Sequence, residues 1–168
     1  LFKEKMNWKN GGGKGFKAHQ DQPAWNDFSP DKFITIAIFG NNSTKENGCL
    51  QFGFNSDKNK YTDYVNYNKN GSGELTKDLE EKLNWEYFES TPKDILVFDS
   101  YIPHRSFENT TENSRRIFYF TFHDSKFGNL YDSYIKNKRI HFPPDIERKQ
   151  NQNISIINNK YNLANPIE

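Results

Sequence analysis

Four residues of this sequence could together hold a metal ion and an organic acid. His19 and Asp21 stand two residues apart in "GFKAHQDQPAW", and His104 and Arg115 lie far downstream, beside strand-like segments. Two histidines and one carboxylate form the facial triad, which binds Fe(II) on one face and leaves open the positions that oxygen activation needs. A planar guanidinium can bond a carboxylate at two points, so Arg115 could anchor a dicarboxylate co-substrate that chelates the iron.

The spacing of His19 and Asp21 suits a strand. Side chains on a strand alternate between two faces, so these two would share one face and Gln20 would point away. A lone His-x-Asp pair is weak, because any chain with several such residues can contain one by chance. Its weight comes from His104 and Arg115, and the sequence predicts that one short strand supplies two of the three ligands.

The elements that must position these residues are mostly strands. Polar and apolar residues alternate over 1–9, and "KFITIAIF" (32–39) is a near-continuous apolar run that predicts a central strand buried on both faces. Leu75, Leu79 and Leu83 predict a short surface helix within 74–83, and a last helix is expected over about 126–139. Further strands are predicted over 49–54, 85–89, 94–99 and 115–123. Short strands with peripheral helices indicate an all-β sandwich or barrel, jelly roll included.

Composition limits the function classes. A chain of 168 residues predicts one domain, 1–168, with 150–168 as a frayed tail. A net charge of +1 offers no basic face for nucleic acid, and no apolar run suggests a membrane span or signal segment. The single cysteine, Cys49, fits a reducing cytoplasm. We therefore expect a cytoplasmic protein with a small-molecule substrate, without nucleic-acid or membrane partners and without an identifiable protein partner.

Several longer motifs add a resemblance. "KEKMNWKNGGGKGFKAHQDQPAW", "ENGCLQF", "DILVFDSYIPHRSFENTTENSRR" and "KNKRIHFPPDIER" resemble the phytanoyl-CoA dioxygenase family of Fe(II)- and 2-oxoglutarate-dependent oxygenases, most closely bacterial members of the 2-aminoethylphosphonate hydroxylase type. The resemblance implies a double-stranded β-helix, a cupin-like jelly roll. It also implies that His19, Asp21 and His104 hold Fe(II), and that Arg115 and Ser106 bind 2-oxoglutarate while O2 is consumed.

The resemblance implies hydroxylation of a C–H bond in a small molecule, such as an organophosphonate in phosphonate metabolism. Lys5, Asn7 and Lys9 share one face of the first strand, so we expect them to contact an anionic substrate. The alternative is a cupin-like metal-binding or ligand-binding module without oxygenase turnover, which would leave Arg115 and Ser106 without a role. Because His19 lies so near the start, we expect an N-terminally truncated fragment of such an enzyme.

Overall fold

The computed structural model describes residues 1–55 and 73–141 of the chain. Within these residues the chain forms eight strands, together with short helices. The tail expected at 150–168 lies outside these residues. The strands are β1 (Lys3–Lys9), β2 (Phe16–His19), β3 (Ile34–Phe39), β4 (Leu50–Phe54), β5 (Asn84–Phe88), β6 (Ile95–Asp99), β7 (His104–Ser106) and β8 (Arg115–Phe122).

The strands form two four-stranded antiparallel sheets. The first sheet has the order β1-β8-β3-β6, and the second has the order β2-β7-β4-β5. Neighbours in each sheet are distant in sequence, as in a jelly roll, where the chain crosses repeatedly between two facing sheets. The predicted all-β, double-stranded β-helix fold is confirmed.

Phenylalanine is the most frequent residue in the core between the sheets, as the high aromatic content of 16% leads one to expect. The larger buried cluster consists of Ala37, Phe39, Leu50, Phe52, Phe98 and Ile117. A second cluster is formed by Phe2, Trp25 and Phe33, with Phe28, Leu130 and Tyr134 packed against it. The candidate ligand His104 contacts the first cluster, because its ring centroid lies 5.4 Å from that of Phe98.

Strand β1 turns its lysine-bearing face inward. Lys3, Lys5 and Asn7 are partly buried and Lys9 is buried, whereas the apolar residues between them are exposed. The exposed set includes Met6 and Trp8, which retain 48% and 54% of their accessible surface. A strand usually buries its apolar face, so this inversion indicates that the interior beside β1 is a polar site rather than core.

Strand β3 lies between β8 and β6, which confirms the prediction of an inner strand. The prediction that it is buried on both faces was wrong. Ala37 and Phe39 point into the core, but Ile38 on the opposite face is 38% exposed. Ile34 and Ile36 on that face are only partly buried, so apolar composition alone was a poor guide to burial.

The helices are shorter than the sequence suggested. Helix α1 spans Lys77–Glu81, because Glu74 is already engaged in an antiparallel bridge with His19. Helix α2 spans Tyr131–His141 and is separated from a 3-10 turn at Ser125–Phe127 by Gly128, whose φ of 73° ends that turn. No helix in the two described segments is both long and apolar enough to cross a bilayer.

Candidate functional site

Three side chains with metal-ligating atoms converge between the sheets. His19 ends β2, His104 begins β7, and the two face each other directly in the β2–β7 register. Their ring centroids are 4.2 Å apart, and Asp21 Oδ1 lies 4.0 Å from His19 Nε2. One ligand atom from each of the three residues lies within 4.8 Å of the others. The tertiary structure thus brings the predicted triad together.

Asp21 reaches this position from outside the strand, so the prediction that one strand carries both ligands was wrong. Strand β2 ends at His19, and Asp21 has φ −77° and ψ −34° as the residue that precedes the 3-10 helix Gln22–Trp25. The backbone N–H groups of Asp21 and Gln22 both donate to the carbonyl of Ser100. These bonds replace strand pairing and turn the chain, so the carboxylate is aimed by a turn rather than by strand alternation.

Both histidines are oriented by backbone carbonyls. His19 Nδ1 lies 2.7 Å from Lys17 O, and His104 Nδ1 lies 3.1 Å from Ile102 O. A carbonyl only accepts, so each Nδ1 carries the proton and donates it. The Nε2 lone pair of each neutral ring is then left for a metal, an arrangement common among metal-ligating histidines.

The surroundings of the triad favour a neutral His19 and an ionised Asp21. Burial, with His104 nearby, lowers the pKa of His19 to about 3. Burial raises the pKa of Asp21, but His104, Lys3, His19 and Lys5 together outweigh burial and hold that pKa below its usual range. Two imidazoles and one carboxylate form the donor set that suits Fe(II) with open coordination positions.

Arg115 forms a second polar region of the site, beside the His19, Asp21 and His104 triad. It is the first residue of β8, its side chain is only 1% exposed, and its Nε and Nη1 atoms have no hydrogen-bond partner among the described residues. A hydrogen bond from Arg115 and its positive charge act to lower the pKa of Tyr119, although burial raises that pKa overall. These two nitrogens leave the buried guanidinium able to donate to an incoming carboxylate.

Ser106 and Lys9 lie at the same end of the site as Arg115. Lys9 is paired with Arg115 across the β1–β8 register. Its ammonium donates to Ser106 Oγ at 2.9 Å and also to the carbonyls of Phe107 and Gly48. Lys9 is therefore engaged in holding the loop after β7 and the Ser106 hydroxyl.

A cavity of about 420 Å³ contains both the triad and the Arg115 region. The triad, Arg115 and Ser106 all line it, as do the predicted substrate contacts Lys5 and Asn7, whereas Lys9 is absent from the lining. The sequence analysis missed many further lining residues, among them Lys3, Tyr119, Tyr134 and Lys138. Strand parity could have identified Lys3 and Tyr119, but nothing local points to the two α2 residues.

Comparison with known proteins bears on this site. The sequence profile of the family described as Phytanoyl-CoA dioxygenase (PhyH) matches residues 1–117. A "2-aminoethylphosphonate dioxygenase" from Uncultured bacterium HF130_AEPn_1 is 39% identical over 170 residues, covering 100% of this chain and 62% of that protein. A "Methylphosphonate hydroxylase" from Gimesia maris is 37% identical over 142 residues, covering 84% of this chain and 52% of that protein. The chain thus spans about half to three fifths of the length of these curated relatives.

Solved structures share the fold at low sequence identity. EctD from S. alaskensis in its apoform has a TM-score of 0.56 at 17% identity, covering 73% of this chain and 44% of that chain. The epimerase SnoN, solved with Fe3+, alpha ketoglutarate and nogalamycin RO, has a TM-score of 0.57 at 16% identity, covering 78% of this chain and 54% of that chain. Both likenesses concern the arrangement of strands.

Proposed function

This chain belongs to the phytanoyl-CoA dioxygenase family, and we propose that it is an Fe(II)- and 2-oxoglutarate-dependent oxygenase that hydroxylates a C–H bond of a small phosphonate. One observation carries the proposal. His19, Asp21 and His104 converge in the same cavity as Arg115, a buried guanidinium with two nitrogens that have no partner among the described residues. We also propose a cytoplasmic location, where a reducing environment would keep iron ferrous.

In this proposal His19, Asp21 and His104 hold the metal through two Nε2 atoms and one carboxylate oxygen. Iron(II) with 2-oxoglutarate and O2 supplies the oxidation of an unactivated C–H bond. The carbonyls of Lys17 and Ile102 keep both imidazoles in the ligating tautomer. The buried position of the triad keeps bulk water away from the reacting groups.

Arg115 would bind the carboxylate of 2-oxoglutarate that lies away from the metal. Its unpartnered N–H groups would donate to that carboxylate, with the Ser106 hydroxyl as a further donor. Lys9 supports this end by holding Ser106 Oγ at 2.9 Å. A binding module without turnover would have no use for a buried guanidinium with two unpartnered nitrogens, which costs stability in the absence of an acceptor.

The phosphonate assignment rests on the relatives and on the charge of the cavity. Both curated relatives named above have phosphonates in their names. The cavity is lined by Lys5 and Asn7 on the inward face of β1, as expected for contacts to an anion. Lys9 remains a predicted substrate contact, although its described hydrogen bonds direct it to the Ser106 end.

Anaerobic titration with Fe(II) and then 2-oxoglutarate tests the proposal. We expect a weak visible charge-transfer band that is absent in Asp21→Ala and reduced in Arg115→Ala. Arg116→Ala is the matched control, because Arg116 points outward and covers the ring of exposed Trp8. A band of unchanged strength in Asp21→Ala, or no band from folded protein, would contradict the proposal.

A subsequent screen tests the substrate class. Oxygen uptake and succinate formation with 2-aminoethylphosphonate and methylphosphonate should exceed the rates measured with 2-oxoglutarate alone. Uncharged alcohols of similar length should give no increase. Equal stimulation by charged and uncharged compounds would argue against a phosphonate substrate.

A further inference from the structure

Three lysines meet at the end of the cavity opposite Arg115. Lys3 and Lys5 come from the inward face of β1, and Lys138 comes from α2, which packs against that strand. All three line the cavity. The charge of Lys138 acts on both Lys3 and Lys5, so the three ammonium groups share one region although they are far apart in sequence.

None of these lysines forms an ion pair with a carboxylate in the described part of the chain. Lys3 instead lies over the ring of Trp25, with Nζ 4.3 Å from its centroid, and Lys5 lies 5.4 Å from the ring centroid of Phe16. Asp21 is the carboxylate whose charge reaches both, and the proposed function assigns it to the metal.

Unpaired ammonium groups in a buried site are costly. Burial, with a contribution from Lys138, lowers the pKa of Lys3 to about 8 and that of Lys5 to about 7. A structural role would be served better by apolar residues or by an adjacent carboxylate. An arrangement of this kind is favourable when an anion enters and neutralises the cluster.

Lys3 lies at the end of β1 away from Arg115, whereas Lys5 shares the ring of Phe16 with Lys9 and lies between the two ends. Lys3 is paired with Thr121 across the β1–β8 register, and Lys9 is paired with Arg115. Six residue steps along a strand span about 20 Å. The inward face of β1 therefore provides two cationic regions, and Asp21 is in electrostatic contact with the first of them. One anion can bind at each end, with the triad accessible to both.

We propose that Lys3, Lys5 and Lys138 form the subsite that binds the phosphonate group of the substrate, on the opposite side of the triad from the 2-oxoglutarate subsite. The inference rests on the proposed function, which supplies the triad and the second anion. It adds that α2 is part of substrate recognition, through Lys138.

Calorimetric titration of the intact chain with 2-aminoethylphosphonate tests this subsite. The titration is run anaerobically, once with Fe(II) and 2-oxoglutarate present and once without them. We expect the Kd to rise about 10- to 100-fold in Lys5→Gln and Lys138→Gln, because a charge-assisted hydrogen bond is lost in each. Inorganic phosphate should compete, and an uncharged amino alcohol should not bind.

Lys136→Gln is the matched control, since Lys136 is exposed on the same helix and does not line the cavity. Its Kd should match that of the original chain. Lys138→Gln alters a helix side chain only, so it decides the matter if the β1 variant does not fold. Normal binding by folded Lys138→Gln and Lys5→Gln, or no binding by the original chain, would overturn the subsite.

The two proposals fail differently. Loss of the charge-transfer band with lysine-dependent phosphonate binding intact would overturn the oxygenase assignment and support the anion subsite. A normal charge-transfer band, with phosphonate binding that does not depend on the three lysines, would support the oxygenase assignment and overturn the anion subsite.

Discussion

Arg115 should destabilise the chain when no dicarboxylate is bound. A buried donor without a partner costs about 1–3 kcal/mol, and with about 1–2 kcal/mol for each, Nε and Nη1 together cost about 2–4 kcal/mol. Replacing Arg115 with methionine, a flexible apolar residue, removes both donors and a positive charge beside Lys9. The loss of the hydrogen bond to Tyr119 offsets about 1 kcal/mol of this gain. We expect Arg115→Met to raise the free energy of unfolding by about 1–3 kcal/mol.

Urea unfolding followed by tryptophan fluorescence measures this effect, since the chain contains three tryptophans. With a slope of about 2 kcal/mol/M, the midpoint should rise by about 0.5–1.5 M. Adding 2-oxoglutarate with Fe(II) under anaerobic conditions should make the original chain more stable than Arg115→Met. The original chain gains about 2.7 kcal/mol at a ligand concentration of one hundred times Kd, whereas Arg115→Met gains little.

Arg116→Met serves as the control, because Arg116 is exposed and interacts with Trp8 on the outer face. Its stability should change by less than about 1 kcal/mol and should still respond to 2-oxoglutarate. If Arg115→Met were less stable than the original chain without ligand, the guanidinium would have a structural role and the reasoning would be refuted.

Three further predictions concern packing and titration. Phe2 is fully buried, so Phe2→Ala should lower the free energy of unfolding by about 3–5 kcal/mol in the urea assay. Met6→Ala on the exposed face should change it by less than about 1 kcal/mol, and equal losses in the two variants would contradict the assigned faces. Lys5 has a lowered pKa of about 7 in the folded chain, so unfolding takes up a proton above that pH. The free energy of unfolding without ligand should therefore rise from pH 7 to 9, and it should rise by less in Lys5→Gln. An equal rise in the original chain and in Lys5→Gln would contradict this prediction. Burial raises the pKa of the Cys49 thiol to about 11, so folded protein should resist iodoacetamide at pH 8 and react only on unfolding. Rapid labelling of Cys49 in the folded state would contradict its burial.

Local chemistry in the sequence was sufficient to predict the strands and the identity of the candidate ligands. A strand has a period of two, and aromatic and β-branched residues mark it wherever it lies in the chain. The types of His19, Asp21, His104 and Arg115 likewise limit their chemistry without reference to the fold. An all-β sandwich or barrel was therefore predictable from the strand pattern, whereas the double-stranded β-helix followed from the family resemblance, and the roles of these residues remain predictions.

Only the tertiary structure decided which faces and distant elements surround the site. Alternation in β1 defines two faces, but burial of the lysine face follows from the second sheet opposite it. The turn that aims Asp21 depends on the carbonyl of Ser100, and Lys138 joins Lys3 because α2 packs on β1. These arrangements depend on contacts between segments far apart in the chain, and such contacts leave no periodic signal in the sequence around any one residue.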